Sequence, residues 1–127
     1  MIRVALADSL VMVTVEDVRR VALSLPRTTE HVIHDRVKFR VKQLVYVAFT
    51  RDETLMGFAF PREERVALVE SEPDKFLLPS EADLRFNWVQ VRTAVLDMEE
   101  MRDLVMDAWT MVVPKRVARD HFDSLNG

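Results

Sequence analysis

Hydrophobic and polar positions along this chain fall into two periods, and their order sets out the fold. Between residues 36 and 60, three short apolar runs are broken by Lys42-Gln43 and by Arg51-Asp52-Glu53-Thr54. Runs of this length between turn-forming clusters predict three strands joined by tight turns. Val37, Phe39 and Val41 alternate with Lys38, Arg40 and Lys42. A strand's side chains have a period of two, so one set faces a core and the other faces away. Residues 87–94 repeat the pattern, with Val89 and Val91 set against Trp88, Gln90 and Arg92.

Helical spacing occupies most of the rest. Thr14 is a good N-cap for residues 14–25, with Asp17 at the position of a capping box; Val15, Val18, Val21, Ala22 and Leu25 form one apolar stripe, and Pro26 ends it. Pro61 followed by two glutamates opens a shorter helix with Val66, Leu68 and Val69 as its buried side. Phe76 is expected to touch the core, and residues 80–86 form a polar connection. Asp97, with Glu100 three residues on, caps a helix whose apolar positions run from Met98 through Met101, Leu104, Val105, Ala108 and Trp109 to Val112. Pro114 breaks it and starts a last helix over residues 115–125. The expected fold class is α+β: an antiparallel sheet of four to five strands with helices packed on one face, in a single domain over residues 14–127. Residues 1–13 read as an apolar N-terminal extension. Met12 could be an alternative start, or the segment could pack on its own domain or a partner.

Combining the strand parities divides the sheet. Val37, Phe39, Val41, Val45, Val47, Phe49, Met56, Phe58, Phe60, Val89 and Val91 are expected to meet the helices. The opposite face then carries Lys38, Arg40, Lys42, Tyr46, Trp88 and Arg92 around the small residues Ala48, Gly57 and Ala59. Cations for phosphates and rings for stacking make these six the candidate nucleic-acid-binding residues. A Tyr-Trp-Ala-Gly surface is also what a homodimer or a protein partner would cover, so both readings stand.

Composition removes several other classes. The 127 residues suit one domain with its own core. Absence of cysteine removes disulfides, thiolate nucleophiles and Cys-type zinc sites, and two glycines cannot make a phosphate-cradling loop. No apolar run reaches the ~20 residues a membrane span needs, and Asp8 interrupts any signal-peptide core, so the expected location is cytoplasmic. The net charge of −3 is uneven: residues 1–51 hold nine Lys/Arg against five Asp/Glu, residues 52–127 nine against sixteen. Only a local face can therefore attract a polyanion.

Candidate metal chemistry is thin. His31 and His34 stand beside Glu30 and Asp35, but a spacing of three on a strand sends the imidazoles to opposite faces without a third ligand. Asp97, Glu99, Glu100, Asp103 and Asp107 read as a solvated helix side, and His121 as a helix-face residue. No nucleophile lies near a base, and no carboxylate pair shares an apolar element, so neither enzymatic activity nor a cofactor is expected.

Several stretches together resemble the MmcQ/YjbR family of small bacterial proteins: Ala22-Leu-Ser-Leu-Pro26 with Thr29-Glu30, Phe39-Arg40-Val41, Trp88-Val-Gln-Val91, and Asp107-Ala-Trp-Thr-Met-Val-Val-Pro-Lys-Arg116. The last looks like that family's closing signature, and the set spans about residues 14–119. The resemblance implies a fold related to bacterial frataxin homologues (CyaY-like) and a DNA-binding label that rests on fold-level arguments. The frataxin-like relation raises iron binding, but the first helix carries only Glu16 and Asp17 rather than an acidic ridge. The chain departs from the family at Arg27 and at Lys42-Gln43, where a glycine often sits.

Overall fold

A computed structural model describes residues 13–126. The proposed extension thus lies outside the described residues except for Val13, which is buried and donates its N–H to the Thr93 carbonyl at 3.4 Å. In chain order the elements are α1 (Val15–Ser24), β1 (Thr28–Ile33), β2 (Arg36–Val41), β3 (Leu44–Phe49), β4 (Leu55–Ala59), α2 (Arg65–Ser71), β5 (Phe76–Leu77), β6 (Trp88–Arg92), α3 (Met98–Thr110) and α4 (Lys115–Asn126). Short 3₁₀ turns precede α2 and lie on either side of β6.

All six strands form one antiparallel sheet in the order β1-β2-β3-β4-β6-β5. It has one or two strands more than the sequence pattern predicts. The polar segment before Arg36 pairs along its length with β2, and Phe76-Leu77 pairs with β6. Neither strand has a clean apolar alternation, because each lies at a sheet edge. The first four strands are a meander whose order follows the chain; only β6 reaches back across sequence to lie beside β4.

Helix boundaries follow local chemistry. Thr14 and Asp17 form the expected capping box, with Thr14 Oγ1 accepting from the Asp17 N–H and the Asp17 carboxylate accepting from the Thr14 N–H. Asp97 Oδ1 accepts from the Glu100 N–H at 2.8 Å. The Glu100 carboxylate turns instead to Lys75, pinning α3 to the β5 edge. Burial pulls the Lys75 ammonium down, but the hydrogen bond and charge of Glu100 outweigh it and raise the group above its ordinary value. In α2 the apolar side is shallower than its spacing suggests: Leu68 and Val69 pack on the core, but Val66 is exposed.

One core cluster joins the inward strand residues Phe39, Val41, Val47, Phe49, Met56, Phe58, Val89 and Val91 to Val18, Ala22, Met101, Val105, Ala108 and Trp109 from α1 and α3. Trp109 is fully buried, and its Nε1–H donates to the Pro26 carbonyl at 2.9 Å. Arg19 clamps α1 to β1 by a bidentate pair with Glu30, both bonds 2.8 Å. Arg27 and Lys42, where glycine was expected from the family resemblance, have φ of 68° and 54°. Left-handed backbone at a non-glycine residue costs on the order of 1–3 kcal/mol, so each turn carries a conformation that glycine would adopt freely.

Candidate nucleic-acid interface on the open sheet face

Strand register identifies the side chains on the sheet face turned away from the core, whose rim is reached by Met111 and Val112 just past the end of α3. Lys38 pairs with Ala48, Ala48 with Gly57 and Gly57 with Gln90, which makes one row across four strands. His31 opposite Lys38 and Thr29 opposite Arg40 extend the face onto β1, while Ala59 opposite Trp88 makes a further row. At the ~4.8 Å strand spacing, Lys38 and Gln90 stand ~14 Å apart. In this stretch β3 and β4 contribute almost no side-chain volume of their own, with Ala48, Gly57 and Ala59 at the outward positions.

That shortage of side-chain volume makes a depression of about 610 Å³. Arg36 and Lys38 line its β2 side, and Trp88, Gln90, Asn87 and Asp83 its β6 side. Phe86 and Met111 also line it. Gly57 is required here: a Cβ at this position would fall 2.6 Å from Trp88 Nε1 and 2.7 Å from Cε2 and Cζ2. The indole therefore rests on the Gly57 backbone and leans from β6 over β4. No described residue hydrogen-bonds to Trp88 Nε1.

The structure places the six predicted site residues unequally. Lys38 and Trp88 line the depression. Arg40 lies beside it on the same face, where one terminal nitrogen donates to His31 Nδ1 at 3.3 Å. This leaves the proton on His31 Nε2, which donates to Thr29 Oγ1, and Thr29 in turn reaches the Arg40 carbonyl. Arg40 Nε is shut away from solvent with no hydrogen-bond partner among the described residues. Arg92 points to the open face but sits opposite Leu55, outside the depression's lining. Lys42 is exposed in the β2–β3 turn with a left-handed backbone.

Tyr46 is the correction. It is fully buried on the helix side, and its hydroxyl lies 2.8 Å from Thr28 Oγ1. The reason is a β-bulge: Phe39 pairs with Val47, but Arg40 pairs with Val45, so Tyr46 is the extra residue and the alternation slips by one. Val45, expected inside, consequently faces outward and lines the depression. Burial pushes the Tyr46 phenol up to about 12, against the opposing effect of the Thr28 hydrogen bond.

Sequence reasoning missed Phe86, Arg36 and Asp83. Phe86 is half exposed with the Arg85 guanidinium 4.8 Å over its ring. Its place two residues before Trp88 was the available signal, hidden inside a stretch read as a polar connection. The two histidines do not converge: His31 belongs to the Arg40 network, and His34 lies in the β1–β2 turn with φ 54°. Among the described residues no three His, Cys, Asp or Glu side chains gather as a metal site would need. Nor is any described helix long and apolar enough to cross a membrane.

The fold is shared with a solved protein of low sequence similarity. The crystal structure of Deinococcus radiodurans protein DR2400, which has a DUF419 domain, matches with a TM-score of 0.69 over 86% of this chain and 88% of that one, at 20% identity. The YjbR family model matches residues 23–111, and the chain belongs to the YjbR family. Among curated proteins there is no match.

Proposed function

We propose that this protein is a non-enzymatic, cytoplasmic module that binds nucleic acid weakly through its open sheet face. One observation carries the reading: a cation row on β2 and an accessible indole on β6 border the same depression, whose floor has almost no side-chain volume. Lys38 and Arg36 supply phosphate contacts, Arg40 adds a third cation beside them, and Trp88 offers a ring. The acidic second half of the chain limits the attraction to this face.

The test is an anisotropy titration at several salt concentrations. Three phosphate contacts give a slope of log affinity against log salt of roughly −2 for single strands and −2.7 for duplex. Affinity near physiological salt is expected in the non-specific range, on the order of 10⁻⁴–10⁻⁶ M. Replacing Arg36 and Lys38 together with alanine should flatten the slope by about 1.4–1.8. If nothing binds at low salt, or the double variant binds as the parent does, the reading fails.

Exposed Leu44, Phe86 and Met111 around the depression favour the second reading, a protein-association or homodimer surface. A solution mass measurement separates the two. A dimer whose mass and stability are indifferent to oligonucleotide would support association instead.

A further inference from the structure

We infer that the depression takes a single unstacked nucleotide of a single strand, its base against Trp88 and its phosphate toward Arg36 and Lys38. The inference rests on the nucleic-acid reading above and adds the form of the ligand and its orientation.

Size comes first. A volume of about 610 Å³ falls within the range of sites that enclose a small molecule. In a duplex the bases are stacked and paired, and the sheet presents no projecting element to enter a groove. Only backbone contacts would be available there. A single strand can turn a base out of its stack and lay it on an aromatic side chain.

Charge then sets the direction. Arg36 and Lys38 on β2 are the cations of the lining, whereas its Trp88 side holds Asp83, Asn87 and Gln90; there Arg62 and Arg65 are turned to the carbonyls of residues 84–86 and Arg85 to the Phe86 ring. A phosphate placed beside Asp83 would meet like charge, so it belongs on the β2 side. The indole on Gly57 takes the β6 part of the ~14 Å between the Lys38 and Gln90 backbones, so the space for the nucleotide lies over Ala48, between the ring and Lys38. At the β6 end the Gln90 amide offers an acceptor and donors to a base edge; the Asp83 carboxylate and the Asn87 Oδ1 already accept from the Ser80 hydroxyl and the Arg62 N–H and retain further lone pairs.

Gly57 is the positional requirement. With no side chain there, the indole settles on the strand backbone and leaves the volume above Ala48 open. Any larger residue at position 57 would drive the ring off its seat.

The experiment compares a single-stranded oligonucleotide with the duplex of the same sequence at one low salt concentration. Adenosine monophosphate and inorganic phosphate serve as competitors. The single strand should bind at least tenfold tighter, and adenosine monophosphate should compete where equimolar phosphate does not. Trp88→Ala should weaken single-strand binding roughly 5- to 140-fold, the value of one base–aromatic stack, and leave duplex binding unchanged. Ala48→Ile fills part of the depression from β3, beside the Gly57 seat of the indole, and should show the same selectivity, with its thermal midpoint confirming that it folds.

Equal affinity for both forms, or phosphate competing as well as the mononucleotide, would overturn the inference. So would Trp88→Ala and Ala48→Ile variants that bind like the parent. If these results appear while the Arg36/Lys38 double variant still loses binding, nucleic-acid binding stands and only the single-nucleotide site falls. If no form binds, both fall together.

Discussion

Replacing Trp109 with alanine tests the packing that sets the sheet face apart from the helix face. The indole is fully buried, its Nε1–H holds the Pro26 carbonyl, and its edges meet His121 at 5.2 Å and Phe122 at 6.1 Å between ring centroids. It therefore joins three things: α3, the turn that leads from α1 into β1, and α4. Truncation removes a large buried side chain at about 3–5 kcal/mol. It also leaves the Pro26 carbonyl short of its donor, at about 1 kcal/mol or more, so the upper part of that range is expected. Against a total stability of roughly 5–15 kcal/mol for a domain of this kind, the loss is severe. Because α4 has no fully buried residue of its own, losing the ring against His121 and Phe122 should also raise hydrogen exchange along that helix. A denaturant series with both variant and parent measures the first effect, with Trp109→Phe as the milder change that keeps a ring but no donor. A loss below ~1 kcal/mol, or unchanged exchange in α4, would refute this account of the core.

Two further outcomes follow from titrating groups. Tyr46 is the sole tyrosine, so tyrosinate absorbance reports it alone. Its folded value is raised, so its stabilising contribution is complete below about pH 10 and is lost as pH rises towards about 12; ionisation near 10 in the folded protein would return Tyr46 to the open face. The hydrogen bond from Arg19 holds the Glu30 carboxyl below its ordinary value, so that pair's contribution is present above about pH 4.5 and is lost as pH falls through the folded value. Arg19→Ala should cost about 1 kcal/mol at neutral pH and less in acid, and an equal loss at both would remove the pair from the account.

Much of the architecture could be read from period and punctuation alone. Both N-caps, the stripe on α1, the proline stops and the inward Val89 and Val91 are local signals, and each led to the observed element. What was illegible came from pairing. A strand's parity holds only while its register is unbroken, and nothing in Leu44-Val-Tyr-Val-Ala-Phe49 marks the bulge that buries Tyr46. Edge strands were missed or undercounted because one flank needs no apolar partner. The depression was half visible: Ala48, Gly57 and Ala59 were legible as small outward residues. The residues closing its ends, Arg36, Asp83 and Phe86, depend on how turns return to the sheet.

The two borders of the sheet meet the surroundings on unequal terms. β5 offers two residues, but β1 offers six, without a proline or lysine, and ends in exposed Val32 and Ile33. Among the described residues nothing pairs with the outer side of β1, and an edge of that length is a template on which another extended chain can lay its backbone. Its deterrents are few, since Glu30 is drawn towards Arg19 and His31 is engaged with Arg40. A charge placed at Val32, exposed beside Ile33, is the smallest change that would guard this edge against strand addition.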